Sequence, residues 1–221
     1  MDLPSSERKE MRGRMRQDLL CSLRWDVFAA LETIEIAVGP VGKEEFIPFF
    51  GSPYANEPLG QLLPKRLEIH IGDLLSKRDF DYAPEEFRYK PPPPAILDND
   101  EKSPVTVGQF VTRAHEHFNA HKEEIIKTKR RFWDDAIRED KGVDARFFYW
   151  RINAFGNDEC GCGAISIDVV ANVERIFNGF WERQLNRARG VEVQPTHSCI
   201  PPWSGPPGGQ VTGPLPALYK P

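Results

Sequence analysis

Cys160 and Cys162 stand one residue apart in the stretch Asn157-Asp-Glu-Cys-Gly-Cys-Gly163, and His197 and Cys199 repeat that spacing farther along. Thiolates and a neutral imidazole are tetrahedral zinc ligands, so Cys160, Cys162, His197 and Cys199 make a chemically sound Cys₃His set. Structural zinc sites usually space their ligands more widely, and here loop and tail would have to meet in space. A disulfide between Cys160 and Cys162 is disfavoured because its ring would be strained. Gly161 and Gly163 suit a turn, since glycine tolerates positive φ at little cost. Turn chemistry accounts for those glycines and leaves the cysteines unexplained.

A second group is His115-Glu-His117-x-x-x-His121. His117 and His121 are one helical turn apart, a spacing that suits joint metal binding or general-base work in a pocket. The order differs from the H-E-x-x-H of zinc peptidases. His121 also falls beside Phe118 and Ile125 at the edge of an apolar face, where a histidine with only a packing role belongs. Zinc is the one cofactor either group suggests.

A third group suits partners. Arg88, Pro91 and Pro94 match the R-x-x-P-x-x-P spacing of ligands for aromatic, SH3-type grooves. Arg8, Lys9, Arg12, Arg14 and Arg16 make the N-terminal stretch basic, with Arg12 and Arg16 the candidate partner contacts. Lys127, Lys129, Arg130 and Arg131 form a second basic cluster; cations there complement a helix C-terminus, and either cluster could meet nucleic acid. No G-x-x-x-x-G-K-[ST] loop, no strand followed by G-x-G-x-x-G and no G-x-S-x-G elbow occurs. The adjacent carboxylates Glu85/Glu86 and Asp134/Asp135 are tied to no pocket by pattern.

These residues must be placed by a chain of 221 residues, 40% hydrophobic and 28% charged, which is enough apolar material for a core. The net charge of −4 argues against a surface built wholly for nucleic acid. The first residues lack the apolar run of a signal peptide, and no stretch suits a membrane span. The expected location is the cytosol or nucleus, with the four cysteines reduced unless a metal holds them.

The spacing of Met11, Met15, Leu19, Leu23, Val27, Leu31 and Ile34 predicts one amphipathic helix over 7–38, stopped by Gly39-Pro40 and packed on the domain. Leu67–Ile71 alternates as a half-buried strand, with His70 expected to be exposed and structural. Residues 84–104, with four consecutive prolines, read as an extended crossing. Thr106 and Gln109 have capping-box spacing and open a helix over 107–130. Residues 145–155 and 164–171 read as an antiparallel pair of strands. Phe148, Trp150, Ile152 and Ala154 are expected to face the core, and Phe147, Tyr149, Arg151 and Asn153 to face away. A last helix is expected over 173–189, capped by Asn172. Phe148, Trp150, Phe177, Phe180 and Trp181 are expected at the centre. Residues 195–221 read as a Pro/Gly-rich tail. The fold class is therefore α+β: a small antiparallel sheet packed by three amphipathic helices, with residues 39–194 as its core domain.

The stretches "SPVTVGQFVTRAHEHFNAHKEEI" and "FFYWRINAF…FWERQLNRAR" resemble a group of uncharacterised proteins from filamentous fungi, whose pattern pairs a V-T-[IV]-G-x-F-V-T helix with two strands and a helix ending in Q-L/A-x-x-A-R. That resemblance implies a compact α+β domain and no particular activity or site. On these grounds the expected function is non-enzymatic protein binding or scaffolding through the N-terminal helix, the polyproline segment and the tail. An enzyme or small-ligand binder with a pocket near His117 and His121 is the alternative, and a zinc-stabilised or nucleic-acid-contacting module a second one. Elemental analysis of the purified protein bears on these readings of the cysteines: metal-free protein leaves the turn, and bound zinc supports a metal site at the Cys₃His set or at His117 and His121.

Overall fold

The computed structural model describes residues 14–61, 63–79, 81, 83–99, 103–132, 146–157, 162–172 and 179–191. The class is α+β, with two sheets and five α-helices among the described residues. Helix α1 (Gln17–Leu20) precedes strands β1 (Leu23–Arg24), β2 (Glu35–Val38) and β3 (Glu45–Pro48), which form an antiparallel sheet. The second sheet contains β4 (Arg66–Ile71), β5 (Ala95–Asp98), β6 (Phe147–Asn157) and β7 (Cys162–Ala171), in the order β5-β4-β7-β6. Its β6–β7 ribbon is antiparallel as expected, while β4 and β7 run parallel, so this sheet is mixed. The other helices are α2 (Gly72–Asp79), α3 (Val107–Ala120), α4 (Lys122–Phe132) and α5 (Phe180–Ala188).

The single helix expected over 7–38 is replaced, within its described part, by α1, β1, a 3₁₀ turn at Leu31–Thr33 and β2. Leu23 and Val27 are four residues apart, a spacing that satisfies one helical turn and also two strand periods. Burial follows the strand period: Leu23, Trp25 and Val27 are buried, as are Ile34 and Ile36. Main-chain pairing decides the matter. The Val27 N–H donates to the Phe147 carbonyl at 2.8 Å, and the Tyr149 N–H donates to the Trp25 carbonyl at 3.0 Å. Trp25–Val27 thus closes the free edge of β6 and joins the two sheets.

A bulge in β6 revises the expected face. Tyr149 pairs with Val169 and Arg151 with Asp168, so Trp150 is an extra residue opposite no partner. Upstream of it Phe147 and Tyr149 face the core; downstream Ile152 and Ala154 do. Trp150 is half-buried, Phe148 is buried away from that cluster, and Trp181 is half-buried against Phe46, Phe148 and Phe180. The centre is instead Trp25, 0% exposed, stacked on Tyr149 at 5.7 Å and edge-on to Phe118 at 6.4 Å. Phe177 lies outside the described residues. The Gln184 side chain of α5, itself 0% exposed, donates to the carbonyls of Tyr149 and Trp150 at the bulge.

The capping box holds: the Gln109 N–H donates to Thr106 Oγ1, and the Thr106 N–H donates to Gln109 Oε1. The helix expected over 107–130 is interrupted at His121, whose φ of −119° and ψ of 18° turn the chain before α4 begins. Lys129 of α4 is only 7% exposed; its Nζ donates to the Val169 carbonyl and pairs with Asp73 Oδ1 at 2.6 Å. The last helix starts at Phe180, because Gly179 at its N-cap has φ 67°, a left-handed conformation that a continuous helix through this residue would not contain. The Pro/Gly-rich tail expected over 195–221 lies outside the described residues.

Replacing Trp25 by Ala is expected to cost about 3–5 kcal/mol, the range for deleting a fully buried aromatic. Trp181→Ala should cost less, because that ring is only partly buried. Urea denaturation of both variants compares them; equal midpoints would contradict this placement of the core.

Candidate functional site

Helix α3 presents two sets of polar groups outside its buried face, which comprises Val107, Phe110, Val111, Ala114 and Phe118. The first set borders a cleft of about 550 Å³ between β5, α3 and the 3₁₀ turn Pro53–Asn56. Phe50, Ala55, Leu97 and Val105 supply apolar surface; Asp98, Gln109, Thr112, Arg113 and Glu116 supply polar groups. The four α3 residues recur at helical spacing, and Arg113 Nη1 pairs with Glu116 Oε2 at 3.1 Å. Gly108 permits the close approach of α3 to the turn: a Cβ there would meet the Ala55 carbonyl oxygen at 2.8 Å.

The cleft lies along the outer strand of the four-stranded sheet. Among the described residues, β5 pairs only with β4. The Asn99 N–H donates to the Lys65 carbonyl at 2.6 Å, and bonded pairs alternate along an antiparallel ladder. The Leu97–Leu67 and Ala95–Ile69 pairs therefore carry the ladder bonds. The main-chain N–H and C=O groups of Ile96 and Asp98 point away from β4.

The second set is histidine. The rings of His117 and His121 lie edge-to-face with centroids 5.1 Å apart, and Nε2 of His117 is buried without a hydrogen-bond partner. Burial holds the His117 pKa down to about 4, and the charges of His121, His70 and Arg113 act in the same direction. His70 of β4 is half-buried rather than exposed; burial lowers its pKa, against the opposing pull of Glu68. His115 is lowered by burial as well. Beyond His121, Glu124 accepts from Lys77 at 2.7 Å; burial opposes its ionisation, yet Lys77 holds the carboxyl below its ordinary value.

The two histidines singled out by sequence are thus brought together, but they do not border the cleft. Of the proposed zinc set, only Cys162 falls among the described residues, as the first residue of β7; Cys160, His197 and Cys199 lie outside them. Among the described residues no three His, Cys, Asp or Glu side chains assemble as a metal-binding group. Arg88 is exposed, with φ −63° and ψ 141°, in the polyproline range, and Pro91 and Pro94 are half-buried. Arg16 is held by Asp18 and Glu57 at 2.7 and 3.2 Å, and Arg12 lies outside the described residues. Within the second basic cluster Lys129 is buried in its ion pair. No described helix is long and apolar enough to cross a membrane. Sequence reasoning missed the cleft; its signal was the polar stripe Gln109, Thr112, Arg113 and Glu116 on a helix already recognised.

Comparison with known proteins finds no matching family model, no matching curated protein and no matching solved structure.

Because the unfolded chain takes up a proton near pH 6.5 that folded His117 refuses until about pH 4, its contribution to stability is intact above pH 6.5 and declines as pH falls towards 4. His70 and His115 act with the same sign. His117→Gln should therefore flatten, without abolishing, the loss of stability between pH 7 and 4. Denaturation at a series of pH values reads that slope; an unchanged slope would contradict the burial assigned to His117.

Proposed function

We propose that this is a protein-binding domain that takes an extended peptide along β5 and receives the peptide's side chains in the adjoining cleft. The outward main-chain groups of Ile96 and Asp98 are the observation on which this reading stands. A sheet edge with unused N–H and C=O groups is a template for another strand, and a neighbouring pocket adds side-chain selectivity. The opposite edge of the sheet is already occupied by Trp25–Val27. The apolar surface of Phe50, Leu97 and Val105 suits an aliphatic or aromatic anchor, and the carboxylate of Asp98 favours a basic residue beside it.

The approach to β5 supports the same class of function. The main chain of Tyr89 is tied to Asp81 at 2.7 Å, and its ring lies over Lys77 Nζ at 3.6 Å. Pro91–Pro94 is therefore held between that anchor and the paired strand β5. Arg88, Pro91 and Pro94 are spaced three residues apart, the repeat of a polyproline helix, with Arg88 exposed and the two prolines half-buried.

Panning the full chain against a random dodecamer phage library, then titrating selected peptides into ¹⁵N-labelled protein, tests the β5 reading. Amide shifts should concentrate at Ala95–Asp98 and Gln109–Glu116. Ile96→Pro removes an outward N–H that makes no bond to β4, along with the isoleucine side chain, and should weaken peptide binding about tenfold or more while leaving the β4–β5 ladder bonds in place. Peptides that perturb other surfaces, or that bind the proline variant equally well, would overturn it.

A further inference from the structure

The histidines of α3 take no part in the cleft, and their geometry suits a ligand of different chemistry. His117 and His121 stand one turn apart, with ring centroids separated by 5.1 Å. The interplanar angle of 83° keeps the rings from stacking. His117 Nε2 is buried and has no hydrogen-bond partner, so this ring nitrogen is uncommitted within the protein. The nearby carboxylate of Glu124 is engaged by Lys77. We propose that His117 and His121 form a two-histidine site for a late first-row divalent cation, with water completing the coordination.

The ligand type sets the selectivity. Imidazole nitrogen suits Zn²⁺, Ni²⁺ and Cu²⁺, whereas Mg²⁺ and Ca²⁺ prefer oxygen. With no third protein ligand assembled among the described residues, the bound ion keeps open positions, unlike the closed four-ligand arrangement of a structural zinc site. The site also falls where α3 ends and α4 begins, so an ion held by His117 and His121 would brace the break between the two helices.

Histidine side-chain ¹H–¹⁵N NMR of the full chain, titrated with zinc chloride and separately with magnesium chloride, tests the proposal. One equivalent of Zn²⁺ should move the imidazole signals of His117 and His121 together, and Mg²⁺ should move neither. His121→Gln should keep the far-ultraviolet circular dichroism of the parent and weaken Zn²⁺ binding at this site by about tenfold or more. His115→Gln, on the same helix, should leave the affinity unchanged. Residue-specific signals separate this site from the cysteines: Zn²⁺ uptake with His117 and His121 unmoved would overturn the proposal, as would equal affinity in His121→Gln. If His117→Gln does not fold, the wild-type titration and His121→Gln still decide the question.

Discussion

The contact on which the rest of the structure depends is the aromatic triad of Trp25, Tyr149 and Phe118. Trp25 comes from the segment after β1, Tyr149 from β6 and Phe118 from α3, so three distant parts of the chain meet at one buried point. Offset-stacked and edge-to-face arrangements are the favoured geometries of aromatic pairs and add to the free energy of burying their area. The same segment carries the main-chain bonds that close β6, so packing and hydrogen bonding specify one register together. With Tyr149 turned inward, the bulge at Trp150 becomes necessary: Ile152 and Ala154 return to the core face only if one residue between Tyr149 and Ile152 is left unpaired.

Buried polar groups fix the helices around that core. Gln184 satisfies the two carbonyls exposed by the bulge and ties α5 to β6. Lys129 does the same for α4, with Asp73 and the Val169 carbonyl as its partners. Burial pushes the Asp73 carboxyl up, against the opposing charge of Lys129. Breaking such a pair by removing one member typically costs about 3–5 kcal/mol, because the remaining charge is left buried alone. These contacts position; they do not expose reactive groups.

Helix α3 links the core to both candidate sites. Its apolar face packs beneath the sheet, its polar stripe borders the cleft beside β5, and its C-terminal end brings His117 together with the cap residue His121. A rigid helix whose inner face is fully buried holds its outer groups in fixed positions, which is what a selective surface needs.

The chain alone specified the elements whose determinants are local. The capping box at Thr106 and Gln109, the alternation of Leu67–Ile71 and the aromatic, β-branched run from Phe147 can be read from neighbouring residues, and so can the α+β class. The pairing of His117 with His121 was legible for the same reason, since it depends on one helical turn. Other features needed contacts distant in sequence. Leu23 and Val27 fit helix and strand periods alike until the edge of β6 offers hydrogen bonds to Trp25 and Val27. Lys129 resembles any cation near a helix end until Asp73 lies beside it. The polar stripe of α3 alone does not mark the cleft, because β5, α3 and the Pro53–Asn56 turn each contribute one wall. Short-range order follows from the period and chemistry of adjacent side chains; strand partners, buried charges and concave surfaces arise only when remote segments compete for the same backbone groups and the same core.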